Sequence, residues 1–123
     1  MSSNDSPLPR IIVGISGASG IIYGIEALKA LRKLNIETHL VVSKSAMVTL
    51  SQESTLKIGE LTELADKHYA NSDIGASIAS GSFQTMGMLV APCSIKTLSE
   101  IATGVTSSLL SRSADVVLKE RRR

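Results

Sequence analysis

Apolar and polar positions along this chain fall into blocks whose period switches between two and 3.6, the signature of strands followed by helices. The β-branched run Arg10–Ile15 predicts a first strand. Gly20–Leu34, with Ile21, Ile25, Leu28 and Leu31 on a common face, predicts the helix after it. Thr38–Val42 predicts a second strand, and Ser43-Lys44-Ser45 opens a helix running to Gln52. Leu56–Lys67 predicts a further short helix, and the polar stretch Asn71–Gln84 a loop with one helical turn. Met86–Ala91 predicts a third strand ending at Pro92, and Ser94–Ala102 its following helix. Ala114–Arg122 predicts a final amphipathic helix with Val116, Val117 and Leu118 inward. Strands alternating with helices argue for an α/β fold, a three-layer, doubly wound parallel sheet of Rossmann or flavodoxin type. In such a sheet the strand–helix loops gather along one edge, where ligands bind.

Residues 1–9 are expected to form a disordered N-terminal tail and 10–123 a single domain. Three strands make a thin sheet with an open apolar edge. A βαβ pattern would next supply another strand after the charged helix, so the domain is expected to be incomplete at its C-terminus or covered there by a partner.

Composition narrows the function classes. The chain has 123 residues, 43% hydrophobic, with only Tyr23, Tyr69 and Phe83 as aromatics, so its core is aliphatic, as in a buried parallel sheet. The formal charge of +2 hides an uneven distribution. Four of 13 basic residues and one of 11 acids lie in the last five positions, leaving nine against ten in the body. That balance speaks against nucleic-acid binding. A lone cysteine, Cys93, excludes an intramolecular disulfide and fits a reducing compartment. No apolar run approaches the ~20 residues that span a bilayer, and Met1–Pro9 lacks the marks of a targeting peptide. A cytoplasmic, membrane-free protein is the expectation. Two separated histidines, His39 and His68, and one cysteine make no metal site.

The candidate chemistry lies in the loops. Ile11–Gly20 turns from a β-branched run into glycines and serines and then into a helix, so backbone N–H groups face solvent at a positive helix end. A phosphate is expected there. Gly14, Gly17 and Gly20 are spaced G-x-x-G-x-x-G, neither a dinucleotide fingerprint nor a nucleoside-triphosphate loop. All three strand–helix junctions carry small hydroxyl residues: Gly17-Ala18-Ser19-Gly20, Ser43-Lys44-Ser45 and Pro92-Cys93-Ser94-Ile95-Lys96-Thr97. Each hydroxyl read alone is a helix N-cap, worth ~1 kcal/mol; three along one edge suggest a shared phosphate-bearing ligand. The second strand ends on Ser43-Lys44 rather than the acid that would hold a dinucleotide's ribose, so a mononucleotide fits better.

Four ordered strings, Ile12–Gly20, Ser80–Thr85, Ala91–Leu98 and Ala114–Arg122, resemble the UbiX-type flavin prenyltransferases, within the wider group of homo-oligomeric flavin-containing decarboxylase-like proteins. The similarity runs from Arg10 to Arg122 and identifies residues 10–123 as a flavoprotein domain. It implies FMN as cofactor and transfer of a dimethylallyl group from dimethylallyl phosphate to reduced FMN. The prenylated flavin would then pass to a UbiD-type decarboxylase, as in ubiquinone biosynthesis. By motif, Gly17, Ala18 and Ser19 would lie against the flavin, with the Ser19 hydroxyl near N5. Ser43 and Ser94, Ile95, Lys96 and Thr97 would hold FMN. Glu53 would be the acid near the reacting prenyl group, and Arg112 and Lys119 would bind the substrate phosphate. A guanidinium and an ammonium suit the ionisation of an allylic phosphate without a metal, and a helical spacing of seven puts both on one face.

The resemblance also carries an expectation of loss. Family members continue past the Lys-Glu-Arg-Arg helix into a strand and later residues that supply further cations and a second glutamate. The chain is therefore expected to be the N-terminal portion of such an enzyme and inactive alone. Two other readings stay open: a non-catalytic FMN-binding or assembly fragment, and an FMN-dependent decarboxylase of a cysteine-derived carboxylate.

Overall fold

The structure, a computed structural model, describes residues 9–123. The expected tail therefore lies, apart from Pro9, outside the described residues. Its elements in chain order are β1 (Arg10–Ile15), α1 (Ile21–Lys33), β2 (Glu37–Val42), α2 (Lys44–Glu53), α3 (Ile58–Glu63), β3 (Lys67–Ala70), β4 (Met88–Val90), α4 (Ile95–Thr103) and α5 (Leu109–Lys119), with a single 3-10 turn at Ser77–Ala79.

The sheet has four strands in the order β3-β2-β1-β4, all parallel. β1 pairs with β2 along its whole length, from Arg10 opposite Glu37 to Ile15 opposite Val42. The period of two divides the strands between two cores. Val13, Ile15, Leu40 and Val42 meet Ile21, Ile25 and Leu28 of α1, Ala46 and Leu50 of α2 and Leu61 of α3. Ile12 and Val41 face the opposite way, onto Ile78 and onto Leu109, Leu110 and Val117 of α5. A sheet between two helical layers is the doubly wound arrangement that the alternation of elements implied.

Four expectations need correction. The sheet has a fourth strand, β3, where the pattern suggested the end of a helix and a polar loop. Lys-His-Tyr-Ala carries no apolar run; β3 is an edge strand, held by backbone pairing of Lys67–Ala70 with His39–Val42. The helix expected over Leu56–Lys67 is correspondingly only Ile58–Glu63. The last helix begins at Leu109, not Ala114, because Ser108 caps it: its Oγ accepts from Ser111 N at 3.3 Å and Ser111 Oγ accepts from Ser108 N at 3.1 Å. Along that helix Val117 is buried and Val116 half-buried, whereas Leu118 is 57% exposed, not inward.

On the α5 face, β2 also buries His39. Its Nε2 bonds Glu37 Oε1 (2.6 Å), its Nδ1 bonds the Tyr69 hydroxyl (2.8 Å), and Phe83 meets the ring edge-on at 5.0 Å. These contacts tie the segment after β3 back onto the sheet and satisfy both ring nitrogens of a buried polar side chain.

Leu28→Ala, at a fully buried position of the first core, is expected to cost about 2–5 kcal/mol. Leu118→Ala should change stability by less than about 0.5 kcal/mol. Equilibrium urea unfolding of both variants checks the layering.

Candidate functional site

The strand order reverses at β1: the chain steps outward through β2 and β3, then returns to place β4 on the other side of β1. The crevice beyond the C-terminal ends of β1 and β4 is the place such folds use for ligands. Ser16 holds the two loops there together. It is buried, its N–H donates to Pro92 O (3.1 Å), its hydroxyl donates to the same carbonyl (2.9 Å), and its Oγ accepts from Ser94 N (2.7 Å). One serine thus sets where α4 starts relative to β1. The Ala91–Pro92 peptide beside it is cis.

Of the expected residues, Ser19 and Glu53 are brought together. Gly20 ends the first loop with φ 98°, in the left-handed region that glycine tolerates, and it supplies no side-chain cap to α1. Glu53, at the last position of α2, supplies it instead. Its Oε1 accepts from Gly20 N at 3.1 Å and Ile21 N at 3.2 Å. The Ile21 N–H and then the Gly20 N–H hold the Glu53 carboxyl below its ordinary value, with a smaller contribution from the Ser19 hydroxyl. A negative charge at a helix N-terminus is favourable for the same reason. The phosphate expected at this helix end therefore finds two of its donors already accepted by a carboxylate.

The other hydroxyl loops meet at a second place. A cavity of about 510 Å³ opens beside the ends of β2 and β3, lined among others by Ser43, Lys44, Ser45, Asn71, Lys96 and Ser108. A neighbouring chamber of about 90 Å³, which shares Ser43, Ser45, Asn71 and Lys96 with it, adds Ser94, Thr97 and Glu100. Ser43 and Ser94 are N-caps as well as lining residues: Ser43 Oγ accepts from Ala46 N and Ser94 Oγ from Thr97 N, both at 3.1 Å. The first-turn N–H groups of α2 and α4 beyond these caps have no intrahelical partner, so two positive helix ends and two lysines border one space. Gly17 makes the close approach to it. A Cβ there would sit 2.4 Å from Ser45 Oγ, so a larger residue would push the lining serine aside.

Ser43, Ser94, Lys96 and Thr97 are thus gathered around one cavity, with Gly17 against its wall. Ala18 and Ser19 lie on the neighbouring loop. Ile95 is 87% exposed and lines neither the cavity nor the chamber. Arg112 and Lys119 share the α5 helix, about 10 Å apart along its axis. Neither lines the cavity. Lys119 is largely exposed and pairs with Asp115 at 3.0 Å.

Sequence reasoning missed Ser16, Asn71, Ser107, Ser108 and Glu100. Asn71 accepts from Leu109 N through its carbonyl and from Leu110 N through Oδ1, both at 2.9 Å, so it occupies the start of α5. Ser108 and Ser111 form a readable capping pair ahead of an apolar run; nothing local marks Asn71 or Glu100.

A sequence profile described as Flavoprotein matches residues 1–123. The chain is 58% identical over 116 residues to the flavin prenyltransferase UbiX of Escherichia coli, covering 94% of this chain and 61% of that protein. It superposes with a TM-score of 0.94 and 48% identity on AnUbiX (PadA1), crystallised with FMN and dimethylallyl pyrophosphate, over 95% of this chain and 62% of that one. A dodecameric FMN-dependent UbiX-like decarboxylase from Escherichia coli gives 0.91 and 47%, over 93% and 62%. An α/β parallel sheet with a cleft at its switch point is the fold class of nucleotide-binding flavoproteins, and this chain belongs to the flavoprotein family. It spans about three-fifths of the length of the curated relatives it matches.

Two outcomes test this geometry. Glu53 is expected to titrate below the ordinary glutamate value of 4.5. The sign follows from linkage: a carboxyl lowered in the folded state stabilises fully above its unfolded value and loses that contribution as pH falls through its folded one. Side-chain carboxyl NMR reads the midpoint, and an ordinary value would show that the α1 cap is not formed. Ser16→Ala leaves the Ser94 N–H unpartnered and is expected to destabilise by about 1–3 kcal/mol in urea unfolding.

Proposed function

We propose that this chain forms the FMN-binding portion of a flavin prenyltransferase, which transfers a dimethylallyl group from dimethylallyl phosphate to reduced FMN for use by a UbiD-type decarboxylase. The observation that carries the reading is the hydroxyl- and lysine-lined cavity between the N-termini of α2 and α4, adjoining the loop where Ser19 and Glu53 meet. Its donor set fits a phosphate on a polyol chain: hydroxyls, backbone N–H groups and two ammonium groups. Its volume falls within the ~300–1,000 Å³ of small-molecule sites. The similar AnUbiX, crystallised with FMN and dimethylallyl pyrophosphate, supports the choice of ligands.

Bound and reduced, FMN supplies the nucleophilic atoms to which the dimethylallyl group is joined. The chain's residues do the rest. Lys96, Lys44 and the α2 and α4 amides hold the phosphate of the cofactor, while Ser43, Ser94 and Thr97 orient its chain. Gly17 and Ala18 would let the ring approach the backbone, and the Ser19 hydroxyl would serve it there. Glu53 fixes the Ser19–Ile21 turn through the Gly20 and Ile21 N–H groups and would be the acid near the reacting group. The family resemblance, and not the cavity lining, assigns Arg112 and Lys119 to the departing phosphate, whose developing charge they would stabilise. The dodecameric relative supports a homo-oligomer. The lone cysteine supports a cytoplasmic setting; among the described residues no helix is long and apolar enough to cross a membrane.

The test is a fluorescence titration of the chain with FMN and with riboflavin. FMN should bind more tightly by the worth of its phosphate, and Lys96→Ala should weaken FMN about tenfold or more while leaving riboflavin nearly unchanged. Equal binding of both flavins by the parent chain would overturn the reading.

A further inference from the structure

Among the described residues that line the cavity and its neighbouring chamber, Asn71 is the only carboxamide. It is the first residue beyond β3, half-buried, and shared by both spaces with Ser43, Ser45 and Lys96. Both of its acceptors are engaged at the start of α5. The backbone carbonyl accepts from Leu109 N and the side-chain Oδ1 from Leu110 N, each at 2.9 Å. These bonds also settle which way the side chain is turned. The Leu110 N–H can only meet an oxygen, so the other end of the carboxamide is the NH2 group. That group can give two hydrogen bonds and donates to nothing among the described residues. An open donor pair stands here beside Lys44, Lys96 and the first-turn N–H groups of α2 and α4, all of which seek an acceptor.

We propose that Asn71 is the joint between the ligand cavity and α5: its NH2 group donates to the phosphate oxygens of the bound ligand while its Oδ1 holds the first turn of the helix. This rests on the reading of the cavity as an FMN site and adds to it a binding residue and a coupling. Donation from the NH2 group polarises the carboxamide and strengthens its oxygen as an acceptor, so filling the cavity tightens the start of α5. That helix carries Arg112 and Lys119, which the family resemblance assigns to the departing phosphate. An anion held at one end of Asn71 therefore steadies the helix that would serve the second anion. The coupling is reciprocal, and whatever steadies the start of α5 raises the affinity for the phosphate by the same factor.

The experiment compares the parent chain with Asn71→Asp near neutral pH, by flavin fluorescence titration with FMN and with riboflavin and by urea unfolding without ligand. Aspartate keeps the oxygen that meets Leu110 N and places a negative charge at the start of α5, where it is favourable, so the urea midpoint should hold or rise. It also replaces the NH2 donor by a charged acceptor. FMN binding should therefore weaken about tenfold or more while riboflavin changes by less than about twofold. A residue that only capped α5 would keep or improve both stability and binding. Unchanged FMN affinity, or equal weakening of both flavins, overturns the assignment of Asn71 and leaves the FMN reading intact. A second measurement needs no variant. Inorganic phosphate added to the parent chain should slow hydrogen exchange at the Leu109 and Leu110 amides more than at the Leu28 amide within α1, and absent or equal slowing overturns the coupling. A parent chain that binds FMN no more tightly than riboflavin overturns both readings.

Discussion

β1 is the constraint on which the other elements depend. It is the one strand paired along its length with β2 on one side and with β4 on the other, and its side chains enter the cores on both faces of the sheet. A strand in that position has no freedom of register: a slip of one residue would exchange Val13 and Ile15 with Ile12 and Gly14 and unmake both cores. Gly14 shows how tight the second face is, since an added Cβ would meet Leu110 at 3.1 Å and Met88 at 3.2 Å. Because β1 is fixed, the loop that leaves it at Ser16 is fixed as well.

From that point the site is assembled by polar contacts rather than by packing. Ser16 ties the β1 loop to Pro92 and Ser94, Glu53 ties it to the end of α2, and Asn71 ties the segment after β3 to the start of α5. Each bond joins residues more than 30 positions apart in sequence. Those to Ser94, Gly20, Ile21 and Leu110 also satisfy backbone N–H groups at helix starts. Order at the ligand edge therefore follows from the need to satisfy helix termini, and the ligand groups find donors where the side-chain caps stop.

The arrangement divides the labour between two neighbouring places. At the β1 loop the positive end of α1 is already compensated by Glu53, which suits a flat ring lying over glycine and alanine rather than an anion. At the β2 and β3 side the ends of α2 and α4 keep first-turn N–H groups beside Lys44 and Lys96, which suits the phosphate. On the proposed reading, this uneven charge would orient a ligand that has one charged end.

How far the sequence could be read depends on the range of the interactions involved. β1, β2, α1, α2, α4 and the doubly wound class were legible because apolar periodicity and capping hydroxyls are local signals. The gathering of Ser43, Ser94, Lys96 and Thr97 was legible because strand–helix junctions in a parallel sheet share an edge. β3 was not, since four residues with one half-buried side chain form a strand only when β2 offers its free edge. α5 starts earlier than the expected Ala114 because Ser108 caps it, and Leu118 faces out because the helix that contains it is set by Leu109, Leu110 and Val117. Glu53 as the cap of α1, Ser16 as the link between two loops and Glu100 in the wall of the chamber have no local signature. Each acquires its role from a partner brought near by the fold, and only the tertiary structure decides which backbone groups are left for a side chain to satisfy.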